Sequence, residues 1–276
     1  MNQQRTHYVT TSDGVTIGAT VHGHGPPLVF LQGAVGDGDL DWGRLMPHLA
    51  DRFTCHLLGQ RGRGLSGDHP DLRLARQADD VLAYIESVGE PVGLTGWSGG
   101  GNLALAVAAR SDTVHTVAPF EPGMLNLMDE QAQAALGGIL ARTGELAAEG
   151  RLTDAVRAFL GFPCSEEEIA AAEDVGYVEA AGRYVPNMLA FLQQVMEHGD
   201  PSADPAVLGA ISAPVTVLIG SDTKSYFAES ARYVTDHVPD GRVHEIPGVG
   251  HAAALTRPEA LAEALTEVFA PAPQRA

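Results

Sequence analysis

The sequence predicts an α/β architecture: a mostly parallel, eight-stranded sheet flanked by helices. Short apolar runs of strand length recur along the chain, helical-period segments separate several of them, and one long strand-free stretch interrupts the rhythm before it resumes.

Residues 7–22 alternate around Ser12-Asp13-Gly14, a turn signal between extended runs, so the chain opens with an antiparallel hairpin. Pro27-Leu28-Val29-Phe30-Leu31 is then a continuous apolar run ending at Gln32-Gly33, the pattern of a strand buried on both faces as in a parallel sheet. Residues 53–58, 92–95, 114–119 and 215–219 repeat the pattern, and residues 77–88 carry helical periodicity between two of these runs. The last strand falls on 242–246. A terminal helix spans 258–269, where Leu261, Leu265 and Phe269 recur every four residues.

From 122 to 211 the pattern is helical without a strand, punctuated by Gly137-Gly138, Gly150, Gly161 and Pro201. This reads as a helical cap (122–211) inserted after the sixth strand of a core formed by 1–121 and 212–276. Met124, Leu125, Met128, Phe159, Phe162, Met188, Phe191 and Met196 within it either line a pocket or pack on the sheet. Met124, Met188 and Phe191, together with Gln32 and Trp97, are the candidate substrate contacts. There is no internal repeat and no low-complexity tract.

A hydrophobic fraction of 45% with 19% charged residues, over 276 residues, suits one sizeable soluble domain. The net charge of −18 and pI near 4.8 repel phosphate backbones and anionic lipid, so neither nucleic acid nor a membrane is expected as a partner. The acidity itself reads as a solvated surface. A small molecule is the remaining partner class, and a homodimer stays open. Met1 to His7 contain no apolar run, and nothing approaches the roughly 18 unbroken apolar residues of a membrane span, so a cytoplasmic location is expected. Cys55, in a strand, and Cys164, in a distant and mobile-looking region, read as unpaired thiols without metal-type spacing.

Gly96-Trp97-Ser98-Gly99-Gly100 fits G-x-S-x-G, preceded by a buried strand at 91–95 and followed by an apolar helix at 102–109. A strand-to-helix elbow holds its serine in a strained conformation, and side chains two residues before and after would collide, hence glycine at 96 and 100. Such a turn puts Ser98 at a helix N-terminus, where the Gly99 N–H and the helix dipole favour the negative charge of acyl transfer. A chance match in a glycine-rich chain is the competing explanation, and the strand–turn–helix context argues against it. A phosphate cradle lacks the trailing Lys-Ser/Thr of a P-loop and the G-x-G-x-x-G order.

A serine hydroxyl needs a base near neutral pH, and histidine has the suitable pKa. Of eleven histidines, His251 stands out: Gly248-Val249-Gly250-His251-Ala252-Ala253 follows the last strand, at the sheet edge that carries Ser98. Turn capping is the alternative role for it. His22, His24, His48, His56, His69, His115, His198, His237 and His244 read as loop or surface residues.

The Ser98 elbow, the Gly250-His251 turn, the Arg61-Gly62-Arg63-Gly64-Leu65-Ser66 loop and the position of the cap together resemble the α/β-hydrolase superfamily over nearly the whole chain. The resemblance implies the backbone N–H of Ala34 as a second oxyanion donor. Gln32-Gly33-Ala34-Val35 stands where the family carries His-Gly-x, a change that a backbone donor tolerates. The family loop also carries Asp two residues before Arg61, where this chain has Gly59, a departure that loosens local hydrogen bonding. The orienting acid has two candidates. Asp222 follows 215–220 at the seventh-strand position that the superfamily uses most, with spacing one residue short, whereas Glu121 ends the sixth strand in Phe120-Glu121-Pro122, as in a subset of relatives. Glu121 is favoured slightly; the other is then a cap, surface or pocket carboxylate.

Serine at the elbow, where dehalogenases and epoxide hydrolases of the superfamily place aspartate, implies an acyl-enzyme. The expected reaction is hydrolysis of a carboxylic ester, thioester or lactone of a small, largely apolar molecule by Ser98, His251 and an acid, with Gly99 and Ala34 holding the oxyanion. Two rival readings are a metabolite-tailoring activity (C–C hydrolysis, cyclisation or lyase chemistry) and a non-catalytic ligand-binding protein on the same fold. Neither a metal nor an organic cofactor is implied: the histidines do not recur at i, i+4 around a glutamate, and no Cys/His cluster exists.

Overall fold

A computed structural model describes residues 4–270; Met1, Asn2 and Gln3 of the N-terminal stretch discussed above lie outside it. Eight strands form one sheet: β1 (Arg5–Thr10), β2 (Thr16–Gly23), β3 (Pro27–Leu31), β4 (Thr54–Leu58), β5 (Val92–Trp97), β6 (Val114–Phe120), β7 (Val215–Gly220) and β8 (Gly241–Ile246). Their order is β1-β2-β4-β3-β5-β6-β7-β8. β2 runs antiparallel to both β1 and β4, and every other pairing is parallel.

The central strands are mostly apolar because each packs on both faces. Leu28 and Phe30 of β3, Ala118 and Phe120 of β6 and Leu218 of β7 join one core with Trp42 and the C-terminal helix. The alternate residues Val29, Leu31, Val117, Val215 and Val217 join the core on the opposite face.

The helices are α1 (Gly38–Trp42), α2 (Met46–Leu49), α3 (Leu74–Val88), α4 (Gly99–Ala108), α5 (Glu130–Ala148), α6 (Leu152–Leu160), α7 (Glu166–Asp174), α8 (Tyr177–Ala181), α9 (Val185–His198), α10 (Pro205–Gly209), α11 (Ser225–His237), α12 (Ala253–Thr256) and α13 (Pro258–Phe269). α5 to α10 lie between β6 and β7, with no strand among them. No helix among the described residues is long and apolar enough to cross a membrane.

Three readings of the sequence change here. His56 is a buried residue of β4, its Nδ1 2.9 Å from the Tyr84 hydroxyl, because β4 is an interior strand whose polar side chain needs a local partner. Cys164 is packed into the hydrophobic core beside Tyr177 and Ile169 and is not in a loose segment. Burial raises both thiols, Cys55 to about 12 and Cys164 further, so neither supplies a thiolate near neutral pH.

Gly59 does not loosen its loop either. A Cβ there would lie 2.5 Å from the Arg63 carbonyl, and the Ser66 hydroxyl donates to the Gly59 carbonyl at 2.6 Å. Arg61 instead finds its carboxylate on α3: Nε and Nη2 donate to Asp80 at 2.7 and 2.6 Å, with further bonds to Asp13 and the Asp71 carbonyl. The guanidinium is fully buried. Asp80→Ala leaves that cation without its bidentate partner, so urea unfolding is expected to show a loss of about 3 kcal/mol.

Candidate active site

β5 and β6 are parallel neighbours, with Trp97 in register with Phe120, so the residues that follow them emerge side by side at one sheet edge. Those residues are Ser98 and Glu121. Among the described residues they are the only non-glycines with positive φ, at 54° and 47°. Such conformations cost about 1–3 kcal/mol each and persist only where the surroundings impose them.

At Ser98 the surroundings do so through close backbone contact. The Ser98 N–H donates to the Phe120 carbonyl at 2.9 Å, and α4 starts at the next residue. A Cβ on Gly96 would sit 2.1 Å from the Gly100 carbonyl oxygen, and one on Gly100 would sit 2.3 Å from that of Gln32. Both glycines are therefore steric requirements. The elbow leaves Ser98 half-buried with its hydroxyl free of any capping bond.

The loop after β3 passes beside this elbow. Gln32 is fully buried and holds the loop: its amide donates to the Gly36 carbonyl at 3.2 Å and accepts from the Gln60 N–H at 3.1 Å. Arg63 adds bonds to the Gly33 and Gly36 carbonyls at 3.4 and 3.2 Å. Asp41 of α1 accepts from the Gly33 N–H at 2.7 Å and from the Tyr177 hydroxyl at 2.9 Å. Between these fixed points, the Ala34 N–H donates to no group of the described protein, and neither does the Gly99 N–H. Both residues line the cavity at Ser98.

His251 lies on the loop after β8, with Nδ1 2.7 Å from Glu121 Oε2. Both side chains are buried. The imidazole stacks on Phe227, centroids 4.3 Å apart and 17° between planes, with Phe120 near-parallel at 6.4 Å and Trp97 tilted at 5.6 Å. The other carboxylate oxygen of Glu121 accepts from the Gly220 N–H at 2.9 Å, so the end of β7 supports the acid carried by β6. Asp222 is exposed, accepts from the Ser221 hydroxyl and makes no bond to His251.

Ser98 sits where two cavities meet, since both are lined by Ala34, Ser98, Phe159 and Pro163. The larger is walled by leucines, Phe162, Phe191, Val195 and Met196; the smaller by Trp97, Tyr177 and His251. Ser98 and His251 thus face the same space. No hydrogen bond joins their side chains, a contact that commonly tightens only with substrate in place. Of the substrate contacts read from the sequence, Phe191 lines the larger cavity and Trp97 the smaller. Gln32, Met124 and Met188 line neither and are wholly buried.

Sequence reasoning missed Asp41, Tyr177 and Glu168. Glu168 of α7 accepts from the Ala252 N–H at 2.7 Å, next to His251, while its carboxylate also closes a capping box with Ser165. The Ser165-x-x-Glu168 spacing marks the helix start in the sequence. The contact with the histidine loop has no local signature.

A family model described as the alpha/beta hydrolase family matches residues 21–264. The chain is 27% identical over 257 residues, 89% of its length, to the pimeloyl-[acyl-carrier protein] methyl ester esterase of Chromobacterium violaceum, of which the match covers 94%. It is 25% identical over 252 residues to the 2-hydroxy-6-oxo-6-(2'-aminophenyl)hexa-2,4-dienoic acid hydrolase of Metapseudomonas resinovorans, covering 88% of this chain and 83% of that protein. An alpha/beta hydrolase structure from Sphaerobacter thermophilus superposes with a TM-score of 0.76 at 26% identity, over 95% of this chain and 100% of that one.

Burial pushes the Asp41 carboxyl up to about 7, against the opposing pull of the Gly33 N–H and the Tyr177 hydroxyl. The folded state therefore binds a proton that the unfolded chain has released between about pH 4 and pH 7. This contribution is complete below about pH 4 and is lost as pH rises through 7. Asp41→Asn, whose amide can accept from Gly33 and donate to Tyr177, should flatten that slope, which amounts to about 4 kcal/mol, in urea unfolding followed across this range.

Proposed function

The chain belongs to the alpha/beta hydrolase family, and we propose that it is a serine hydrolase that cleaves a carboxylic ester, thioester or lactone of a small, largely apolar molecule through an acyl-enzyme. The observation that carries this reading is the buried His251–Glu121 pair at 2.7 Å, facing the same cavity as a serine held on a strained elbow.

In this reading Ser98 Oγ attacks the substrate carbonyl and its proton passes to His251 Nε2, the nitrogen left free by the Nδ1 contact with Glu121. Glu121 fixes the ring and stabilises the imidazolium that forms. The oxyanion is held by the N–H groups of Ala34 and Gly99, donors that need no reorganisation because they have no other acceptor in the described protein. Collapse breaks the bond to the leaving alcohol or thiol, which takes the proton from His251. Water then adds to the acyl-enzyme by the same base and releases the acid.

The two cavities suggest the orientation. The larger apolar lobe, walled by residues such as Leu136, Leu140 and Phe191, suits the acyl chain. His251 lines only the smaller lobe, so a leaving group placed there lies beside its general acid. Within the cap formed by α5 to α10, α5, α6 and α9 wall the larger lobe, while the sheet supplies the reacting groups.

A fluorophosphonate probe should label the protein at Ser98, and Ser98→Ala should abolish both labelling and turnover of p-nitrophenyl butyrate while leaving the far-UV spectrum unchanged. Glu121→Gln should lower turnover by about a hundred- to ten-thousandfold, and Asp222→Asn by less than about twofold. Undiminished hydrolysis by the Ser98→Ala protein would refute the assignment.

A further inference from the structure

The larger cavity is apolar except at one place. Apart from Ser98, the lining side chains that carry polar atoms are Asn102, Asp200 and Tyr226, and they form a single cluster. Asn102 accepts from the Gly123 N–H at 2.9 Å and donates to the Gly123 carbonyl at 3.0 Å and to Asp200 at 2.6 Å. The second oxygen of Asp200 accepts from the N–H and hydroxyl of Ser202 at 2.8 and 2.7 Å. The Tyr226 ring lies against the same turn: a Cβ on Gly123 would sit 3.0 Å from its hydroxyl oxygen.

Two features of the cluster go beyond structural support. The Tyr226 hydroxyl is buried and makes no well-formed hydrogen bond, although the Ser230 hydroxyl, which accepts from the Met124 N–H, lies nearby; a buried hydroxyl left so costs about 1–3 kcal/mol unless something else completes it. Asp200 has no cationic partner among the described residues, and desolvation raises its carboxyl from its ordinary value. Asn102 has no donor to offer, because both its amide hydrogens are engaged. The capacity that remains is one hydroxyl able to donate or accept and one carboxyl able to accept.

We propose that this cluster is a recognition site for a neutral hydroxyl group on the chain that occupies the larger cavity, so that the preferred substrate is a hydroxylated medium-chain acyl compound. The inference rests on the acyl-enzyme reading for the orientation of the chain, with its carbonyl at Ser98. Asn102, which donates to Asp200, follows Ser98 by one turn of α4, a rise of about 6 Å, so the cluster lies further along the cavity and not beside the carbonyl. A carboxylate at this position would face Asp200 and is disfavoured. A purely apolar chain would leave Tyr226 unpaired, and a site built to bond a hydroxyl discriminates against the analogue that lacks it.

The test compares the binding of ω-hydroxyhexanoate and hexanoate, the product-type acids, to the full chain by titration calorimetry. Tyr226→Phe should weaken ω-hydroxyhexanoate about tenfold and leave hexanoate within about twofold, and Asp200→Asn, which retains an acceptor oxygen, should weaken the hydroxy acid less than Tyr226→Phe does. Equal changes for both acids in Tyr226→Phe, or no change for either, would overturn the proposal. Because binding is read and not turnover, this outcome is separate from fluorophosphonate labelling of Ser98, on which the acyl-enzyme reading stands.

Discussion

Two neighbouring parallel strands end in residues forced into the left-handed region, and the rest of the site is arranged around that constraint. Register puts Trp97 beside Phe120, and the bond from the Ser98 N–H to the Phe120 carbonyl ties the two turns together. One turn lifts a hydroxyl over the mouth of a cavity; the other swings a carboxylate across the end of β7 to the imidazole of His251. Strain at both positions is offset by contacts that tolerate no side chain: Gly96 and Gly100 against backbone carbonyls at the elbow, and Gly220, where a Cβ would lie 2.0 Å from the Val249 carbonyl oxygen. Sheet hydrogen bonding and site geometry are here one set of interactions.

The helices between β6 and β7 reach that sheet edge from both sides through polar contacts. Tyr177 meets Asp41 beneath the loop carrying Ala34, Tyr184 and Arg183 meet Asp37 at the start of α1, and Asn187 accepts from Arg63 at 2.7 Å. On the histidine side, Glu168 takes the Ala252 N–H. Any shift of these helices therefore pulls on the loops that carry Ala34 and the imidazole. The apolar packing of Phe159, Leu160 and Val156 into the core resists such a shift.

Strands were legible in the sequence because burial on both faces erases polar alternation and leaves compact apolar runs between turn signals, as at 27–31 and 215–219. Boundaries were less so. The helix after the elbow starts at Gly99 and not at 102, since three successive glycines carry no helical signature and only the packing of the elbow makes them helical. The motif around Ser98 and the turn at His251 are local and could be read directly. The choice between Glu121 and Asp222 was not, because spacing along the chain does not record which strand end turns its side chain inward. Asp41 and Glu168 contact Gly33 and Ala252, residues that nothing local in the sequence links to them. Gln32 reads as a pocket residue by position, whereas its buried amide ties the loop after β3 to the one after β4, donating to the Gly36 carbonyl and accepting from the Gln60 N–H.

With the imidazole's carboxylate partner carried by β6, the turn after β7 bears no group that His251 requires. That turn has taken a different duty. Lys224, the sole lysine in the sequence, extends from it to the carbonyls of Gly161 and Phe162, where α6 ends. This turn thus ties the sheet to the end of α6, and its lysine gives reagents selective for that side chain a single address, at the seam between sheet and helices.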